Sequence, residues 1–172
     1  MQAEGEVQVA YQLIDKDLWT LGQPAWSEPM EFGARGEVVS LLAVNYQIYY
    51  TQNAALWFYG LALCSNPELY PMPLTFGLPE FLSDKALYGR VTELYRTVPV
   101  VGQLDAYQIK SAYIPLHGIV RPRRQIFIFN QVGLYTSATN ARASCEVYYR
   151  SLRLPKAETD AINLKYGKYR RI

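Results

Sequence analysis

One histidine, His117, and two cysteines, Cys64 and Cys145, supply all the imidazole and thiol chemistry in 172 residues. A structural or catalytic zinc centre takes about three or four His, Cys or acidic ligands at characteristic spacings. Positions 64, 117 and 145 match no such spacing. A thiol nucleophile needs a lowered pKa, from a helix start or an adjacent base. Neither cysteine has such a neighbour in sequence, so a Cys–His dyad is disfavoured and buried free thiols are expected, with a Cys64–Cys145 disulfide as the alternative. No GxSxG, glycine-rich phosphate loop or paired-carboxylate motif occurs. Carboxylates such as Glu93 and Asp105 leave a dispersed acid pair as the enzymatic alternative. The expectation is a chain with no catalytic residues, no cofactor and no bound metal.

The remaining chemistry is that of binding. Arg121, Arg123 and Arg124 cluster around Pro122, and Lys165, Lys168, Arg170 and Arg171 crowd the C-terminal end around Tyr166 and Tyr169. Cations interleaved with aromatic rings grip phosphates and stack on bases, and they also attract anionic headgroups. They serve equally well to meet acids on a neighbouring copy, or simply to stay solvated. The charge distribution favours a partner. Residues 1–37 carry seven acids and two bases, whereas residues 121–172 carry eleven bases and three acids. Trp19 and Trp26, in a Gly/Pro-containing segment, are candidate interface residues or a sugar platform, and Trp57 lies in an apolar run that reads as core.

Alternation with period two dominates the chain, which points to strands with one buried and one wet face. Val7, Val9, Tyr11 and Leu13 alternate with polar residues over 6–14. Val44, Tyr46, Ile48 and Tyr50 do so over 44–51; Tyr107, Ile109 and Tyr113 over 105–114; and Cys145, Val147 and Tyr149 over 143–153. Residues 36–43 extend the second of these strands, and 116–121 make a short separate one. The runs 55–64 and 126–129 are apolar on both faces and read as central strands covered on both sides. No charge falls between Glu37 and Glu68, but Asn45, Gln47, Gln52 and Asn53 interrupt the stretch, so it reads as two strands and a turn rather than a membrane span. Four prolines make 65–80 a long loop. Ser83 is placed to cap a helix over 84–96, where Leu87, Val91, Leu94 and Tyr95 recur at helical spacing. A short helix is expected over 156–166, between Pro155 and Gly167.

These elements predict an all-β, antiparallel single jelly roll: two packed sheets, about eight strands and one or two short helices. One domain spans 1–172, with 156–172 expected as a basic tail that docks on a neighbouring subunit or the particle interior and is not needed for folding. In its strand order, and in the stretches GIVRPRRQIFIFNQ (118–131) and YYRSLRLPKAE (148–158), the chain resembles a viral single-jelly-roll capsid protein. The group it resembles is the smaller major capsid proteins of sphaerolipovirus-like tailless icosahedral phages with an internal membrane. The resemblance implies a shell built from many copies beside a second, larger capsid protein, in contact with an internal membrane or the genome. It also implies a virion location after assembly in the host cytoplasm. The alternative is a carbohydrate-binding, lectin-like jelly roll.

Overall fold

A computed structural model describes residues 5–15, 25–26, 29–51, 54–65, 87–96, 107–136 and 141–167, and among these residues the alternating segments fold into antiparallel ladders of nine strands, with one α-helix. The strands are β1 (Gln8–Asp15), β2 (Ala25–Trp26), β3 (Met30–Glu31), β4 (Val38–Thr51), β5 (Ala54–Cys64), β6 (Leu87–Arg96), β7 (Tyr107–Pro122), β8 (Arg124–Thr136) and β9 (Ala141–Leu152). Helix α1 (Lys156–Ile162) runs on into a π-helical turn, Asn163–Gly167.

Sheet I has the order β1-β9-β4-β7, and sheet II the order β2-β8-β5-β6 with β3 also on β8. Ala25 and Trp26 lie opposite Phe129 and Ile128, while Met30 and Glu31 lie opposite Gln125 and Arg124. β2 and β3 are therefore two pieces of one interrupted strand. With them counted as one, the first strand pairs with the last, the second with the second-last, and so inward to β5 with β6. This is a long hairpin rolled into two antiparallel four-stranded sheets, an all-β jelly-roll-like fold.

The core lies between the sheets. Tyr46 of β4 stacks on Phe127 of β8 with ring centroids 5.4 Å apart, and Phe32 meets Tyr149 edge-on at 4.6 Å. Val44, Ile48 and Val147 from sheet I face Leu61 and Leu63 from sheet II. Where side chains are described, the apolar runs of β5 and β8 are buried on both faces, with Leu61, Ala62, Leu63 and Cys64 at most 1% exposed and Ile126, Phe127 and Ile128 at most 3%. The described part of the uncharged stretch after Glu37 forms β4 and β5, and among the described residues no helix is long and apolar enough to cross a membrane.

Three expectations are corrected. The first concerns residues 84–96: the stretch Leu87–Arg96 is strand β6 and not a helix. Tyr88 lies opposite Leu63 and Val91 opposite Leu61, so three steps on β6 match two on β5. Gly89, at φ 59°, supplies the extra bulge residue. The bulge puts Tyr88 and Val91 on the same inward face three residues apart. The second concerns the separate strands expected at 105–114 and 116–121, which are one continuous β7. His117 (φ 53°) and Gly118 (φ 73°) form a bulge inside it, facing the register shift at Leu41/Ala43 of β4. The third is the inward face of β1. Val9, Tyr11 and Leu13 are 56%, 60% and 40% exposed, and Val7 just before the strand 47%, whereas Ile14 is buried and Ala10 packs on the core. The apolar stripe of this edge strand thus points outward.

Candidate functional site

Antiparallel register lines up the outward side chains of sheet I in rows. Tyr11 of β1 lies opposite Glu146 of β9, which lies opposite Asn45 of β4, which lies opposite Tyr113 of β7. The next row is Val9, Tyr148, Ala43 and Pro115. The row on the other side is Leu13, Ser144, Gln47 and Ser111. Across these three rows the only charge is Glu146. Its carboxylate accepts hydrogen bonds from Asn45 Nδ2 at 3.1 Å and from the Tyr148 hydroxyl at 3.2 Å. The negative charge pushes the Tyr148 phenol above its ordinary pKa. Tyr113, 66% exposed, meets the Tyr148 ring edge-on at 6.3 Å. Over these three rows the outer face of sheet I thus carries three tyrosines and a single charge, bounded along β9 by Arg142 and Arg150, and it includes the exposed apolar stripe of β1. Long edge strands with apolar side chains and no protective Lys or Pro are the usual targets of strand-mediated association.

The three arginines around Pro122 do not act as one patch. Arg123 pairs with Glu31 and donates to the Gly33 carbonyl, so Glu31 offsets its charge. Arg124 is exposed on β8 opposite Glu31. Arg121 turns toward the end of the chain. Its Cζ lies 5.0 Å from the Tyr88 ring centroid and 4.1 Å from that of Tyr166, and Nη1 donates to the Val120 carbonyl at 2.9 Å. Lys165 Nζ lies 5.0 Å from the same Tyr166 ring. A hydrogen bond from Lys165, and then the charge of Arg121, pull the Tyr166 phenol below its ordinary pKa. Residues 156–167 therefore seat on β7 of their own chain. Thr159 is buried, and the Arg121–Tyr166 contact fastens the turn. Sequence reading missed this grouping because residues 88, 121 and 165–166 share no local pattern. The alternation of tyrosine and base near the end was the only signal.

The other predicted site residues fall as follows. Trp26 lies on β2, where the structure describes the backbone alone; Trp19, Lys168, Tyr169, Arg170 and Arg171 lie outside the described residues. Cys64 and Cys145 are buried free thiols in different sheets. Burial, followed by the nearby Glu146 charge, pushes the Cys145 thiol far above its usual range. His117 is exposed on its bulge. Among the described residues, no three His, Cys, Asp or Glu side chains are grouped to hold a metal ion.

The class that fold and surface define is an all-β, jelly-roll-like protein with one open sheet face. No protein-family model matches the chain, and no curated protein is similar to it.

Proposed function

We propose that this chain is a structural subunit of an icosahedral viral capsid, assembling through lateral contacts between copies and beside a second, larger capsid protein. The observation that carries the reading is the outer face of sheet I together with β1. Val9, Tyr11 and Leu13 stand 40–60% exposed on edge strand β1, with Val7 exposed just before it, beside rows that bear Tyr113 and Tyr148 and a single charge, Glu146. An exposed apolar patch of this kind on a folded domain marks an interaction site. The double-sheet jelly roll is an architecture that capsid and lectin domains share. In this reading the protein resides in the virion after assembly in the host cytoplasm, and the chain does no catalysis.

Native mass measurement and electron microscopy of the purified chain, with concentration and salt varied, test the proposal. Closed particles or rings of defined stoichiometry are the expected result. A strictly monomeric chain at all concentrations, alone and with host-purified shell proteins, overturns it. A lectin-like reading draws on one feature of the same face: exposed Tyr113 stands beside the Asn45–Glu146 pair, a ring next to hydrogen-bonding groups. Glycan binding by a monomeric chain, lost in Tyr113→Ala, decides for that reading.

A further inference from the structure

The junction between β7 and the C-terminal turn holds an open hollow of about 380 Å3, lined by Ile119, Val120, Arg121, Ala161, Ile162, Lys165 and Tyr166. Its floor is apolar and its rim is cationic. Among the described residues neither Arg121 nor Lys165 forms an ion pair. Their positions are fixed by the rings of Tyr88 and Tyr166 and not by carboxylates. A ring holds a cation in place without cancelling its charge. Arg121 Nε is in addition buried with no hydrogen-bond partner, so this guanidinium is under-satisfied where it stands.

We propose that this hollow is a binding site for a phosphoryl oxyanion. Arg121 presents a planar fork of N–H donors, Lys165 an ammonium, and Tyr166 a hydroxyl between them, which suits an anion with several oxygens. Ile119, Ala161 and Ile162 give the carbon skeleton of a phosphate ester an apolar surface to lie on. The lowered Tyr166 phenol fits this geometry, since two cations converge on one oxygen and a bound anion would relieve their excess charge. The same chemistry is offered by free phosphate and by a phospholipid headgroup. The site stands whether or not the chain assembles.

The test uses the full chain and three single variants. Inorganic phosphate is titrated by calorimetry, and vesicles of phosphatidylglycerol or of phosphatidylcholine are co-sedimented at constant ionic strength. Lys165→Gln removes one charged donor, and Tyr166→Phe keeps the ring against Arg121 while removing the hydroxyl. Lys156→Gln removes a cation of α1 that does not line the hollow. Charge-assisted hydrogen bonds are strong enough that either of the first two variants should weaken binding about tenfold, with Lys156→Gln close to the parent. Saturable binding of phosphate assigns a free-anion site, and binding confined to the vesicles assigns a headgroup site; both uphold the proposal. It is overturned if neither probe binds, or if Lys156→Gln loses as much affinity as Lys165→Gln, since the interaction would then be a diffuse charge effect.

Discussion

Replacing Tyr11 by serine removes the largest side chain of the outward stripe on β1 without touching the core. An aromatic side chain carries about 150–250 Å2. Tyr11 is 60% exposed in the free chain, which leaves on the order of 100 Å2 for a partner to cover. At about 25 cal/mol per Å2, covering it stabilises a contact by roughly 2.5–3 kcal/mol, about a hundredfold in association. The fold loses little, because exposed positions change stability within about 0.5 kcal/mol, or about 1–2 °C in Tm for a chain of this size. Light scattering against protein concentration then shows the assembly threshold of Tyr11→Ser raised about a hundredfold, with the melting curve almost superimposed on the parent's. Because the contact is apolar, sulfate strengthens it and moderate sodium chloride does not dissolve it. An unchanged threshold in Tyr11→Ser and in Val9→Ser refutes the role given to this face. A large drop in Tm refutes the reasoning in another way, since the stripe would then be part of the core.

The β6 bulge makes a second target: Gly89→Ala places a Cβ 3.0 Å from Val44 Cγ1 and 3.3 Å from Leu116 Cδ2, at φ 59°. Left-handed backbone and overpacking together cost about 2–5 kcal/mol, read as a lower urea midpoint with an unchanged slope. Burial raises the Tyr46 phenol, so the native state keeps its proton above pH 10, where the unfolded chain releases it. Stability from this group is intact below pH 10 and falls as pH rises beyond it; Tyr46→Phe, which also removes a buried hydroxyl without a partner, flattens that alkaline loss in thermal melts. Cys64 and Cys145 react with a coloured disulfide reagent at two equivalents in denaturant and resist it in the native chain, since both are buried and the Cys145 thiolate is disfavoured.

Where alternation met a core on one side, the sequence was readable. Val44, Tyr46 and Ile48 on β4, and Cys145 and Val147 on β9, face inward as their spacing requires. Residues 61–64 of β5 and 126–128 of β8, the described part of the doubly apolar runs, are likewise buried on both faces. Alternation alone cannot say which face is in, and β1 shows it: its larger apolar residues face outward, because the inward positions are the small Ala10 and, at the strand end, Ile14. Tyr113 of β7 follows the same rule, with Ala112, Ile114 and Leu116 turned toward the core. Bulges defeat period counting in a different way, since Gly89 inserts one residue and converts a two-step into a three-step repeat. The candidate sites were legible only as ingredients. Arg121 and Tyr166 were both singled out, but their pairing is a fact of chain folding across 45 positions.

The nesting of strands also sets an order of events during synthesis. β9 lies in the middle of sheet I, between β1 and β4, with Gln8 opposite Tyr149 and Val44 opposite Val147. Until residues 141–152 leave the ribosome, β1 has no ladder partner, and β4 can pair only with β7. Sheet I therefore closes only after residues 141–152 have been translated, and its β1–β9 pairings join residues more than 120 positions apart, which makes closure slow. During that interval the nascent chain carries unpaired strand edges and the uncovered apolar residues of β4. Chaperone capture on the ribosome should concentrate on β4, and it should end when β9 fills the gap.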